Sequence, residues 1–245
     1  MRKPLTLLCL SLTLPVAFTA HAAVVQVDPT TLTASNVVDF EDLGVPLGTL
    51  VGYNGTLVSG GVSFSERFAG QAVVEVSYYD TLTGAPVSPL TLAANGLPGK
   101  NLTVGNLGGN TGLSGESSVM SLGEGAVAVL FTDDQSQVAF DVLGIDLDGG
   151  IGGTLFADIW ARDGSLLNSF SIVMTGASAL SFGFQTDDAA FEIAGITLAS
   201  DDSGGVGYDN FIYDIASTSQ VPLPPAMLLF GSALLGLGAT KRRSV

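Results

Sequence analysis

Thr154–Met174 reads TLFADIWARDGSLLNSFSIVM, two alternating runs on either side of Asp163-Gly164. That dipeptide accepts positive φ at both centres of a tight turn, so the stretch predicts a β-hairpin. With a two-residue turn, Arg162 faces Ser165, Ala161 faces Leu166, Trp160 faces Leu167 and Ile159 faces Asn168. Successive strand side chains point to opposite faces. One face then carries Leu155, Ala157, Ile159, Leu166, Phe170 and Ile172, which is a core. The other carries Phe156, Asp158, Trp160, Arg162, Ser169 and Ser171. The only tryptophan falls on the mixed face.

Outward from this hairpin, the same short runs recur between Gly, Asp and Asn punctuation, with no long helical period. Strands are predicted at Val37–Asp42, Gly61–Glu66, Ala72–Tyr79, Val127–Phe131 and Gln137–Ile145. They continue at Thr154–Arg162, Leu166–Met174, Leu180–Gln185, Phe191–Ala199 and Tyr208–Ile215. Ten strands with no intervening helix predict an all-β fold, an antiparallel sandwich of the jelly-roll kind. Gly makes up 32 of 245 residues, which suits short strands and tight turns. Leu82–Glu124 reads as a long surface loop with one further strand at Leu102–Val104.

Five of the eight basic residues lie at the chain ends: Arg2, Lys3, Lys241, Arg242 and Arg243. Between them only Arg67, Lys100 and Arg162 face all 23 acids, a net charge of −20. So few cations cannot neutralise a phosphate backbone, which excludes a nucleic-acid partner. Cations are the natural partners of such a surface. Arg2-Lys3, the apolar Leu5–Phe18 and the small-x-small Ala20-His21-Ala22 form a secretory signal over residues 1–22, for signal peptidase. Cleavage before Ala23 removes Cys9 and His21, the single cysteine and the single histidine. The mature chain then has no disulfide, no thiolate or imidazole metal site and no Ser-His-Asp or Cys-His pair. Residues 23–220 are about 200 residues, enough for one well-buried β domain.

The chain closes on VPLPPAMLLFGSALLGLGATKRRSV. A spanning helix needs about 20 apolar residues. Pro225 is tolerated at a first helical position, so a helix over residues 225–240 is expected, slightly short. Lys241, Arg242 and Arg243 would stay cytoplasmic and hold the domain outside. The order VPLP, apolar run, basic cluster resembles the PEP-CTERM class of bacterial sorting signals, in its VPLPA-CTERM variant, over residues 221–245. Pro225 stands where that variant has Ala, and Ser244-Val245 trail the basic tip. The resemblance implies recognition of Val221, Pro222, Leu223 and Pro224 by an exosortase, which removes the tail. It also implies a Gram-negative producer of exopolysaccharide or biofilm. The chain would cross the inner membrane, be anchored there transiently, and end at the cell surface or in the matrix. More loosely, VAFDVLGIDLDGG, LFADIWARDGSLLNSFSI and IAGITLASDDSGGVGYDNFIYDI look like the lectin-like, carbohydrate-binding-module-like sandwiches common in such proteins.

The remaining motifs are weak. Asp146-Leu147-Asp148-Gly149 opens like an EF-hand loop, but Ala157 occupies the twelfth position, where a bidentate Glu belongs. GGIGGT from Gly149 has Thr154 where a calcium turn of the β-helix type needs Asp. GLPGKN around Lys100 lacks the spacing of a phosphate loop, and no Gly-x-Ser-x-Gly occurs. Paired carboxylates are inevitable with 23 acids and do not by themselves make a glycosidase. Asn54-Gly55-Thr56 and Asn101-Leu102-Thr103 are sequons that bacterial secretion leaves idle. The expectation is therefore a non-catalytic structural or adhesive matrix protein, with a polysaccharide-binding module as the alternative.

Two places carry site expectations. Phe156, Asp158, Trp160 and Arg162 could form a sugar platform, an aromatic face with hydrogen-bonding neighbours. The more favoured outcome is that a loop or strand covers Trp160 as a satellite core. VVDFEDL and GYDNFIYD, at the two ends of the domain, could lie side by side around a structural calcium ion. Glu41 and Asp209 are its leading ligands and Asp42 a third, with backbone carbonyls of DDSGGVG nearby. Solvated strand-end acids are the equal alternative.

Overall fold

A computed structural model describes residues 21–76, 79–94, 101–106, 111–116, 123–144, 151–176 and 179–214. The chain begins with β1 (Val24–Val27), β2 (Asn36–Val38), β3 (Leu50–Tyr53), β4 (Leu57–Ser59), β5 (Val62–Ser65) and β6 (Arg67–Phe68). It continues with β7 (Ala72–Val76), β8 (Tyr79–Thr83), β9 (Leu92–Ala93), β10 (Leu102–Asn106), β11 (Thr111–Gly115) and β12 (Val127–Gln135). Then come β13 (Gln137–Gly144), β14 (Thr154–Trp160), β15 (Leu166–Val173), β16 (Ala179–Thr186), β17 (Ile193–Ser200) and β18 (Val206–Tyr213). One sheet has eight strands in the order β1-β16-β13-β18-β11-β10-β3, with β2 also on β18. The other has six, β15-β14-β17-β12-β5-β4, and two ribbons, β6-β9 and β7-β8, complete the set. Every ladder between these strands is antiparallel. The all-β antiparallel sandwich expected from the alternating runs is present.

The core lies between the two large sheets. Phe140, Phe184 and Tyr208 enter from the eight-stranded sheet, and Phe64, Leu155, Ile159 and Ile196 from the six-stranded one. Phe64 meets Phe211 across the interface at 5.3 Å between ring centroids, and Phe170 meets Phe184 at 4.8 Å. Burying such rings removes much apolar area from water and is the main drive for closing the sandwich. Leu155, Ala157 and Ile159 are fully buried, as the alternation predicts.

The hairpin turn departs from the two-residue form. Gly164 N donates to Ala161 O at 3.0 Å, and Ala161 N donates to Ser165 O at 2.9 Å. In the turn only Gly164 takes positive φ, at 84°. That is a three-residue loop, Arg162-Asp163-Gly164, a turn closed by a left-handed glycine. The register consequently slips by one: Trp160 faces Leu166, and Ile159 regains Asn168 across a bulge at Leu167. A one-residue slip moves side chains to the opposite face. Leu166 is therefore 51 % exposed rather than in the core. Leu167 packs against the core in its place.

Three further stretches differ from expectation. Val37–Asp42 is strand only to Val38, because Phe40 takes left-handed φ 58° and opens a 3-10 turn over Glu41–Leu43. Phe40 tolerates that conformation because its buried ring is held by Phe64 at 5.1 Å and Phe211 at 6.1 Å. Ala72–Tyr79 is not one strand but parts of β7 and β8, with Val76 opposite Tyr79. The expected long loop carries its one expected strand, Leu102–Val104, as β10, but also holds β9 and β11, and β11 reaches β18 through Leu113 opposite Tyr208.

A small third layer covers the outer face of the six-stranded sheet. Phe68, Leu90, Ala128, Trp160 and Ala194 form a second apolar cluster there. β17 accepts this cover because it is narrow: a Cβ at Gly195 would stand 2.6 Å from Phe68 Cζ and 2.7 Å from Val129 O. All eight residues of β17 are buried. Among the described residues no helix is long and apolar enough to cross a membrane. The expected helix over 225–240, the sorting motif Val221–Pro224 and the tip Lys241–Arg243 lie outside the described residues, as do residues 1–20 of the secretory signal.

Candidate functional site

The candidate platform on β14 is corrected by burial, and the favoured alternative, a covered Trp160, is what stands there. Trp160 is only 5 % exposed, beneath Phe68 and Leu90, and its Nε1 donates to Thr197 Oγ1 at 3.1 Å. An indole satisfied and covered in this way cannot stack on a sugar ring. Arg162 is committed too: its Nε donates to Asp134 Oδ1 at 2.8 Å and its NH2 lies 2.7 Å from the same oxygen. Asp158 accepts from Ser169 Oγ across the hairpin. Phe156 and Asp158 remain half-buried two residues apart on the outer face.

The two stretches expected to lie side by side, VVDFEDL and GYDNFIYD, do meet through β2 and β18. β2 lies antiparallel on β18, with Val38 opposite Phe211 and Asn36 opposite Tyr213. On β18 Asp209 is 4 % exposed and sits directly across from Asp141 of β13. The ladder slips by one residue here, where Asn210 takes left-handed φ 48°. A bulge re-aims side chains. Asn210 N donates to Asp209 Oδ1 at 2.7 Å and Asn210 Nδ2 to Asp141 Oδ2 at 2.8 Å. Ser181 Oγ donates to Asp141 Oδ1 at 2.5 Å from the other side.

Asp39 and Glu41 bring two more carboxylates to Asp209. Burial pushes the Asp209 carboxyl up to about 7, and the charges of Asp141, Asp39 and Glu41 push the same way against the Asn210 hydrogen bond. Both physical causes disfavour the ionised form. Glu41 is held by Thr111 Oγ1, which donates to its Oε1 at 2.8 Å. Of the three expected calcium ligands, Glu41 and Asp209 therefore share one neighbourhood. Asp42 is diverted: its Oδ1 accepts from Ser59 Oγ at 2.5 Å and its Oδ2 from Gly60 N at 3.3 Å. It secures the β4–β5 turn instead.

Asp39, Asp141 and Asn210 were not among the residues that sequence singled out. Asp141 could have been found only from the ladder register. Among the described residues no three His, Cys, Asp or Glu side chains gather closely enough to hold a metal ion. An ion here could take two carboxylates at most, with main-chain carbonyls and water completing its shell.

No protein-family model and no curated protein matches the chain. Solved structures of family 29 carbohydrate-binding modules do resemble it. One variant of CBM29-2 is 12 % identical with a TM-score of 0.31, covering 72 % of this chain and 97 % of the module. Another is 14 % identical at 0.30, covering 51 % and 84 %. CBM29_1 from Piromyces equi is 8 % identical at 0.29, covering 67 % and 87 %. Likenesses of this size carry no conclusion about what this chain binds.

Proposed function

We propose that the chain is an exported, non-catalytic component of the extracellular matrix, built on a jelly-roll sandwich and sorted by an exosortase. The observation that carries this is the three-part order of residues 221–245: VPLP, an apolar run, Lys-Arg-Arg. The same reading gives residues 1–22 to signal peptidase, with a cut just ahead of β1, so that the strand pairing Val24 with Thr186 stays whole. The non-catalytic part rests on a mature domain without histidine or cysteine. Intact-mass measurement tests the sorting. Protein from the native host is expected to end near Val221–Pro224, and protein from a host without exosortase to keep its tail in the membrane. Full-length chain released from the native surface would refute it.

A calcium ion held by Glu41 and Asp209 belongs to this proposal. It would answer the carboxylate crowding around Asp209 and stabilise the folded state by mass action.

A second reading, that the domain binds a matrix polysaccharide, has one specific observation in its favour. Phe156 and Asp158 stay half-buried side by side after Trp160 is covered, an aromatic and a carboxylate on one face. The similar solved structures are carbohydrate-binding modules by name, which supplies a ligand class for the test rather than a reason to expect binding. On this reading Phe156→Ala is expected to weaken retention on the host's exopolysaccharide about tenfold. Equal retention of variant and wild type in affinity electrophoresis would leave the structural role alone.

A further inference from the structure

Glu124 stands apart from every site described so far. It is 5 % exposed, and its Oε2 is buried with no hydrogen-bond partner. A buried polar atom left unpaired is costly, and a buried charge far more so. The backbone around it cannot swing away to relieve this. Gly123 N and Gly125 N both donate to Gly115 O, at 2.9 and 3.3 Å. Asp80 N donates to Glu124 O at 2.8 Å, and Val206 N to Gly123 O at 2.9 Å. A Cβ at Gly125 would stand 2.5 Å from the Glu116 backbone, so the two chains are already in closest contact. Glu124 is thus pinned where β8, β11 and β18 converge.

Its neighbours are also acidic. Burial, then the charge of Asp202, then that of Asp80, push the Glu124 carboxyl above its usual range. Asp202 is 7 % exposed, and each of its oxygens accepts one backbone N–H, from Gly204 at 2.8 Å and from Gly152 at 2.5 Å. Each oxygen keeps further acceptor capacity for another partner. The turn that carries Asp202, Asp201–Gly205, folds back on itself with Gly205 N donating to Asp202 O at 3.2 Å. The next residue along, Val206, donates its N–H to Gly123 O at 2.9 Å and so ties this turn to the Glu124 segment.

We propose that Glu124 and Asp202 hold a divalent cation of the calcium class, with main-chain carbonyls and water as the other ligands. A hard cation that prefers oxygen fits a site without nitrogen or sulfur donors. Two carboxylates also respect the absence of any three-acid cluster among the described residues. The ion fastens the Glu124 segment, to which β8 is tied by the Asp80 N–H on Glu124 O, to the Asp201–Gly205 turn. It is separate from the ion at Glu41 and Asp209.

The test uses the full chain in detergent, dialysed to equilibrium against calcium chloride, with bound calcium counted by mass spectrometry. Glu124→Gln keeps the side chain's size and removes its charge. It is expected to lose one calcium per chain relative to wild type, whether or not Asp209→Asn loses another. Loss of one ion in Asp209→Asn alone, with Glu124→Gln binding as much as wild type, would overturn the site and leave a proton on Glu124. Should Glu124→Gln fail to fold, Glu124→Asp serves, because it keeps the charge and shortens the reach by one methylene. It is expected to bind its ion more than tenfold more weakly, and unchanged affinity overturns the proposal equally.

Discussion

Trp160→Ala is expected to destabilise the domain by about 3–5 kcal/mol, the range for deleting a large buried side chain. The indole is 5 % exposed and packs with Phe68, Leu90, Ala128 and Ala194, so its removal leaves a cavity under the third layer. Thr197 Oγ1 loses its donor at the same time, which adds to the loss. Against a typical total of about 5–15 kcal/mol, that is a large share. The melting midpoint should fall by roughly 10 °C. Trp160→Phe keeps most of the packing and loses the hydrogen bond, so its fall should be smaller. A surface tryptophan would behave differently: near-native melting in both variants would show that the third layer does not cover it.

How far this burial could be read in the sequence depends on the distance over which the signal runs. Alternation along Thr154–Trp160 is local, and it places Leu155, Ala157 and Ile159 inward and Trp160 outward correctly. The cover over Trp160 comes from Phe68 and Leu90, in a two-residue strand and a loop, neither long enough to show a period. The Leu166 position failed for a different reason. Asp163-Gly164 marks a turn, but turn length is decided by which residues take left-handed φ, and here only Gly164 does. One extra loop residue and one bulge then exchange Leu166 for Leu167.

The acidic site shows the same division. VVDFEDL and the last strand are expected to pair as the two ends of the domain. They do meet, but as β2 on β18, while the first strand, β1, pairs β16, and the meeting brings Glu41 near Asp209. Asp42 does not join them: the left-handed backbone at Phe40 turns the chain out of β2 into a 3-10 turn, where Asp42 meets Ser59 and Gly60 instead. Asp141 faces Asp209 across a ladder of strands some 70 residues apart, joined at a bulge. No pattern within either strand announces that register. The buried, unbonded Oε2 of Glu124 is harder still, since its setting follows from three distant elements meeting at Gly123–Gly125.

Asp209 gives the largest expected dependence on pH. Its folded-state carboxyl is raised to about 7 from 3.8, so the folded protein holds this proton more tightly than the unfolded chain does. Stability therefore rises with falling pH over that interval. The contribution is fully present below about pH 4 and is lost as pH rises to about 7. At about 1.4 kcal/mol per unit, the span is on the order of 4 kcal/mol. Asp209→Asn keeps an oxygen for Asn210 N and removes the titration. Without calcium, the variant should match wild type near pH 4 and exceed it by a few kcal/mol at pH 8. The difference between the two chains is the quantity to follow, because relief of the domain's general negative charge affects both alike. A calcium ion at Glu41 and Asp209 would replace the proton and restore wild-type stability at pH 8, where the carboxylate is available to bind it. Denaturant unfolding at pH 4 and pH 8, with calcium and with chelator, separates these effects. If the wild-type and variant curves run parallel across the whole pH range, Asp209 is not the strained carboxyl argued here. A calcium gain of equal size in both chains at pH 8 would mean that the ion sits elsewhere.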